Sequence, residues 1–338
     1  MQDIGHCFLP HRSPPRSTSA PPSSLRIAQL TDLHHWPSTV HHFAHPFTGR
    51  TLPLEPHPPP APHAYSRHHA IALIARVLAV ARPHLIVFTG DILDGRPFAG
   101  LAPDSFVEAF EEILKPLGDT EPPTPWAFTP GNHDDDGAPW RRVDLLRLHA
   151  LPGCISARAT QFDHTLTVSV APPPPQDPTS HTPPTTRLYF LDSGENSPDP
   201  SLRYTTFNPA TVRDLALRVA SVPVPDAPNS PARPSPAPVP RTSHTLAYFH
   251  IPLPEYAGVT PVAGTHGLFA AALHKPGALV PFPLYYPPFP ALIRLLGLDR
   301  VAGSSTENSG AFAAMKAAGV DAMWSGHDHY CDWVGRRA

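Results

Sequence analysis

Short apolar runs alternate with amphipathic stretches along this chain. Leu25 to Thr31 (LRIAQLT) is an apolar run ending in polar residues. Tyr65 to Arg82 places Ile71, Ile74, Leu78 and Ala81 at helical spacing, and Pro83 stops that helix. His84 to Thr89 (HLIVFT) then reads as a buried strand. Asp104 or Ser105 can cap a helix that carries Phe106, Phe110, Ile113 and Leu114. Trp126 to Thr129 predicts a strand and Trp140 to Leu151 a helix. Leu166 to Ala171, Leu188 to Asp192 and Leu246 to His250 predict later strands. Ser309 to Ala318 predicts a helix, and Asp321 to Ser325 (DAMWS) a last strand in which Met323 and Trp324 read as core. Strands alternating with helices imply an α/β layered domain.

Composition changes this picture at four places. Proline makes up 50 of 338 residues, roughly three times ordinary usage, and it clusters. Residues 1–24 are Pro/Ser-rich without periodicity and read as a disordered arm ahead of a domain over 25–338. Stretches near 53–62, 172–184 and 222–240 read as solvated, partly polyproline II insertions. A net charge of −3 speaks against a nucleic-acid partner held by a basic surface. Three cysteines, Cys7, Cys154 and Cys331, are too few and scattered for a disulfide framework or a thiolate zinc site. No apolar run reaches membrane-spanning length, and no signal peptide is visible, so a cytoplasmic location is the default expectation.

The chemistry sits at strand ends. Asp32-Leu33-His34 follows LRIAQLT, and Gly90-Asp91-Ile92-Leu93-Asp94 follows HLIVFT. Gly131-Asn132-His133-Asp134 follows WAFTP, His250 follows LAYF, and Gly326-His327-Asp328-His329 follows DAMWS. Carboxyl ends of strands in open α/β sheets are where ligand sites gather. Oxygen and imidazole donors without thiolate suit Zn, Mn or Fe. Two cations need about eight protein bonds if each keeps a solvent position. Asp32, His34, Asp91, Asn132, His250, His327 and His329 supply them when Asp91 bridges.

This series resembles the calcineurin-like metallophosphoesterase superfamily: D-x-H, G-D-x-x-D, G-N-H-D, a lone His after a strand, then G-H-D-H. The blocks FHIPLPEY (Phe249 to Tyr256), ENSGAF (Glu307 to Phe312) and SGHDHYCDW are similar to a branch filed with the purple acid phosphatases of plants and fungi. The resemblance implies a four-layer α-β-β-α sandwich, interrupted here by long Pro-rich insertions. It implies two divalent metal ions, Mn, Zn or Fe. One would be held by Asp32, His34, Asp91 and His329, the other by Asp91, Asn132, His250 and His327. It implies that His133 donates a proton to the leaving group or contacts phosphoryl oxygens, and that Asp94 orients His133. The expected reaction is phosphomonoester hydrolysis by attack of a metal-bound hydroxide, on a small molecule or a phosphoprotein.

Three departures qualify the resemblance. Purple acid phosphatases proper carry tyrosine where Asp94 stands and glycine where His34 stands, so the tyrosinate that colours ferric enzymes is missing. Gly95-Arg96 follows Asp94, where protein Ser/Thr phosphatases have Arg then Gly. The chain ends at Ala338, soon after His329, which reads as a truncated C-terminus or a missing edge strand. Plainer readings stand beside several of these residues. Asp94 can instead stabilise a turn before Gly95, and Asp134, Asp135 and Asp136 read as a solvated acidic helix start. His35 reads as a loop residue, and Tyr256 and Glu255 as either pocket or packing. Two rival functions remain: a phosphodiesterase using the same site, and a catalytically silent scaffold.

Overall fold

A computed structural model of the chain describes residues 1–10, 25–36, 42–44, 51–53, 67–96, 101–170, 185–199, 201–218, 242–258, 260–261, 304–327 and 335–336. The elements run β1 (Gln2–Leu9), β2 (Ile27–Leu30), β3 (His42–Ala44), β4 (Thr51–Pro53), α1 (Arg67–Ala81), β5 (Leu85–Thr89), α2 (Ser105–Gly118) and β6 (Trp126–Thr129). After a 3-10 helix over Arg142–Ala150 come β7 (His164–Val170), β8 (Thr185–Phe190), α3 (Pro209–Arg218) and β9 (Thr242–Tyr248). A 3-10 turn over Pro254–Gly258 precedes β10 (Thr260–Pro261), α4 (Ala311–Ala317), β11 (Ala322–Trp324) and β12 (Gly335–Arg336).

The mixed α/β class expected from the alternation is what the chain adopts. One sheet has the order β2-β5-β6 and is parallel throughout. A second runs β1-β7-β8-β9-β11, with only the β7–β8 pair antiparallel. Side chains alternate across β5 as the pleat requires. Ile86 and Phe88 join a cluster with Ala70, Ile74 and Leu78 of α1 and Phe106, Phe110 and Ile113 of α2. Leu85 and Val87 face the other way, into a cluster with Leu166, Val168, Leu188 and Phe190 of the second sheet. The opposite face of that sheet, with Tyr189 and Ala247, packs on Leu215 of α3 and on Ala311, Ala314 and Met315 of α4. In the first cluster Phe110 meets Phe88, Trp126 and Phe128 at centroid distances of 5.8, 5.4 and 5.3 Å. Burying each such ring stabilises the fold by about 1.5–3 kcal/mol.

Several expectations need correction. Residues 2–9 are not part of a disordered arm: they form β1, parallel to β7, with Ile4 and Leu9 buried. Their neighbours 11–24 lie outside the described residues. The helix expected over Trp140 to Leu151 is a 3-10 helix, and α3 was not foreseen. Trp324 is 36% exposed on the edge strand β11, not core. The Pro-rich insertions fall outside the described residues, Pro53 of β4 excepted. Among the described residues no helix is long and apolar enough to cross a membrane.

A buried histidine gives the fold a testable pH dependence. The His164 ring lies 2.8 Å from both the Phe162 carbonyl and the Ser156 hydroxyl and stacks on Phe190 at 4.9 Å. Burial, and then the neighbouring His149, push its pKa down to about 3. The unfolded chain takes that proton near an ordinary value of about 6.5. His164 therefore costs nothing above that pH, and stability falls as pH drops from there toward about 3. The slope is about 1.4 kcal/mol per pH unit for one proton. His164→Gln should flatten the dependence of unfolding free energy between pH 7 and 5 by about one proton, read from urea titrations. Equal slopes in the two proteins would show that His164 titrates alike in both states.

Candidate metal centre

The parallel strands deliver their polar ends to one place. After β2, the Asp32 N–H donates to the Gly90 carbonyl (3.1 Å) and the His34 N–H to the Asp91 carbonyl (2.9 Å). After β11, the His327 N–H donates to Asp32 Oδ2 at 2.9 Å. Asp32, His34, Asp91 and His327 have φ of 56°, 45°, 50° and 74°, a left-handed region that non-glycine residues seldom enter. Among the described residues, the other non-glycine residue with positive φ is Arg82, at the end of α1. There a left-handed residue is an ordinary helix stop.

Among the described residues two groups of metal-capable atoms converge, each within 4.8 Å: Asp32, His34 and Asp91, and Asp91, His250 and His327. Asp91 belongs to both. The His250 Nδ1 lies 2.8 Å from the Thr89 carbonyl, a bond that turns Nε2 toward the cluster. Burial presses the ring's pKa down, but the Asp91 charge outweighs this and pushes it up to about 9, so a cation bound there would take the place of the Nε2 proton. That nitrogen lies 3.1 Å from Asp91 Oδ2, 3.2 Å from Asn132 Oδ1 and 3.2 Å from His327 Nδ1. Asp91 Oδ2 is buried without an aligned hydrogen bond. Buried polar atoms are seldom left so, and a cation between these donors would satisfy them together. Residues Asp32, His34, Asp91, Asn132, His250 and His327 are thus brought to one cluster. His329, expected beside them, lies outside the described residues.

The charges agree with ligand duty. Burial alone would raise the Asp91 carboxyl, but His250, His34 and His133 around it hold it well below the carboxylate range. Burial, reinforced by His250, pushes His327 down to about 3, so its imidazole is neutral and free to donate a lone pair.

Residues around the ligand candidates hold the cluster together, some against expectation. Asp134 is not solvated: it is fully buried and accepts backbone N–H groups of Gly131 (2.6 Å), Leu93 (2.8 Å) and Asp91 (2.9 Å). Burial and the Asp91 charge push its carboxyl up to about 7. A Cβ at Gly131 would stand 2.2 Å from Asp91 Oδ1, so only glycine admits this approach. Ser193 Oγ receives the N–H groups of His250 (3.1 Å) and Ile251 (2.7 Å). The Asn132 amide donates to Asn196 Oδ1 at 3.2 Å, which turns its own oxygen toward His250. Arg142 ties the same loops, binding Asp192 at 2.6 and 2.9 Å and the carbonyls of Gly131 and Gly194 at 2.7 and 2.8 Å. Asp135 pairs with Arg142 at 3.3 Å. The sequence signal for these contacts was slight: an acidic run followed by two arginines.

His133 stands beside the cluster, its ring centroid 5.4 Å from that of His34 and its N–H donating to Asp91 Oδ1 at 2.7 Å. Burial presses its pKa down, but the bond to Asp136 and the Asp91 charge outweigh this, so it lies above the ordinary value. The carboxylate on its Nδ1 is Asp136 Oδ2 at 3.0 Å. This corrects the expectation for Asp94, whose oxygens bind the Arg96 guanidinium at 2.7 and 2.5 Å. Both oxygens of Asp94 are engaged by Arg96, two residues on. His35, on the loop after β2 as expected, is fully buried there, 3.1 Å from Glu112.

Comparison with known proteins agrees with this geometry. The curated relative "Probable inactive purple acid phosphatase 29" of Arabidopsis thaliana is 26% identical over 280 residues, covering 78% of this chain. The chain spans 58% of the length of that relative. The family model of calcineurin-like phosphoesterases matches residues 25–261, a span that takes in β2, β5, β6 and β9 with the polar ends that build the cluster up to His250. Divalent metal ions are what this family implies, and the donors gathered here suit them. The chain belongs to the calcineurin-like phosphoesterase family.

Proposed function

We propose that this chain is a metal-dependent phosphatase that hydrolyses phosphomonoesters of a small molecule or a phosphoprotein. The observation that carries the reading is the pair of donor groups sharing Asp91. In this reading Asp32, His34, Asp91 and His329 hold one divalent ion, and Asp91, Asn132, His250 and His327 hold a second, both Mn, Zn or Fe. When bound, such ions activate water near neutral pH and neutralise phosphoryl oxygens. The chain's own residues set the rest. Asp91, kept ionised, would help hold both ions, and its Oδ1 fixes the His133 backbone N–H. His133, with its proton favoured by the surrounding carboxylates, protonates the departing oxygen of the ester. The phosphatase domain in this reading includes β1 as well as 25–338.

The name of the Arabidopsis relative, "Probable inactive purple acid phosphatase 29", favours a second reading, a silent scaffold that keeps the fold without turnover. A lack of paired ions would favour the scaffold, and where ions are bound turnover decides between the two. Asp91→Asn should lower bound metal at both positions, measured by elemental analysis after dialysis. Full occupancy in that variant would remove Asp91 from both.

Turnover is read from metal-stripped protein resupplied with Mn, Zn or Fe(II), on an aryl phosphomonoester and its diester analogue. Restored hydrolysis of the monoester is expected. Preference for the diester would replace the phosphatase reading with a phosphodiesterase, and silence on both by folded, metal-loaded protein would favour the scaffold. His133→Ala should keep its metal and lose about 10²- to 10⁴-fold in kcat on an alkyl phosphate. An unchanged rate there would take His133 out of the mechanism.

A further inference from the structure

Asp136 lies three residues after His133, on the same loop. Its Oδ2 stands 3.0 Å from the His133 Nδ1. An ionised carboxylate oxygen can only accept, so Nδ1 carries a proton and Nε2 is the nitrogen left to act on a substrate. Besides the Asp91 contact to the His133 N–H, the loop is placed by contacts outside the ligand candidates. The Gly95 N–H donates to the His133 carbonyl at 2.7 Å. A Cβ at Gly95 would stand 2.8 Å from the Asp136 carbonyl oxygen, so glycine at 95 lets the Asp94 turn lie flat against the Asp136 backbone.

Asp94, the other carboxylate nearby, is engaged elsewhere. Its Oδ1 accepts the Arg96 Nε at 2.7 Å and the Arg96 backbone N–H at 3.2 Å, and its Oδ2 the Arg96 Nη2 at 2.5 Å. Oδ2 also lies 3.9 Å from the His34 Nδ1. A fork-to-fork pair of this kind is among the stronger and more directional ion pairs. The two carboxylates thus divide the work: Asp94 faces Arg96 and His34, and Asp136 faces His133.

We propose that Asp136 is the positioning residue for His133, accepting Nδ1–H so that the protonated ring presents Nε2–H to the leaving group and returns to the neutral Nδ1–H form when that proton is given up. The role rests on the phosphatase reading above, but the contact itself does not. Two measurements test it. The first is ring ¹⁵N spectroscopy of histidine-labelled protein, zinc-loaded and metal-free, with the His133 signals assigned by their loss in His133→Gln. Asp136→Ala should abolish the hydrogen-bonded Nδ1 proton signal of His133. Asp136→Asn, which keeps an acceptor, should retain it, and so should Asp94→Ala.

The second is the dependence on leaving group. Asp136→Ala should lower kcat on an alkyl phosphate by about 10–100-fold, with KM within about threefold. On an aryl phosphate, whose leaving group needs little protonation, the loss should stay under about threefold. A His133 Nδ1 signal untouched by Asp136→Ala overturns the proposal. So does a leaving-group-dependent loss that follows Asp94→Ala and spares Asp136→Ala. A wild-type chain that turns over neither ester while its His133 signal still depends on Asp136 overturns the phosphatase reading and leaves the positioning contact standing.

Discussion

Two carboxylates clasp the two loops on which the candidate site depends. Asp134 reaches from the loop after β6 to the backbone N–H groups of Asp91 and Leu93, and takes the Gly131 N–H of its own loop as well. Asp91 answers from the loop after β5, its Oδ1 accepting the His133 N–H. Each loop therefore supplies the acceptor that the other needs. Leaving one buried N–H unpaired costs about 1–3 kcal/mol, so removal of either carboxylate would release several groups at once. The clasp consumes one oxygen of Asp91 and leaves Oδ2 to face His250. That division explains how a single residue can be both a structural acceptor and the shared member of two donor groups.

Parallel pairing does the coarser placement. β2, β5 and β6 run the same way, so Asp32, Asp91 and Asn132 emerge at one end of their sheet. β9 and β11 are parallel to each other and bring His250 and His327 to the same place. The contact between the sheets is apolar, from Val87 and Ala127 on one side to Leu188 and Tyr248 on the other. The Thr89 carbonyl crosses from the first sheet to the His250 ring of the second. The donors are thus held by the ends of two packed sheets, a stiffer support than loops alone would give.

Much of this was legible in the sequence because each ligand candidate follows a short apolar run. HLIVFT and WAFT announce buried strands, and the polar residues after them can only lie at strand ends. Other features depend on tertiary contacts that carry no local pattern. β1 reads QDIGHCFL, with Ile4 and Leu9 its buried apolar residues, and it becomes a strand through its pairing with β7. α3 has a weak apolar face, Thr211 and Leu215, that needs the underlying sheet to be recognised. Asp94 and Asp136 were both within reach of His133 by sequence. Which of them takes it is decided by Arg96, whose bidentate pairing with Asp94 is set by side-chain geometry. His35 went unrecognised because its partner Glu112 lies on α2, far along the chain.

The backbone itself records a cost at the site. Four candidate ligands, Asp32, His34, Asp91 and His327, sit in the left-handed region, at about 1–3 kcal/mol each. None is glycine, the residue that would adopt that conformation freely. Glycine at any of them would relieve strain but would take away a carboxylate or an imidazole aimed into the cluster. Strain kept at donor positions, while the neighbouring left-handed turn at Gly90 is taken by glycine, is the mark of a sequence in which side-chain chemistry outweighs local stability. The same logic applies to the ionised Asp91, whose burial is unfavourable unless several cationic or metal-ligating partners surround it. Strain and buried charge meet on one residue, and that residue is the one shared by both donor groups.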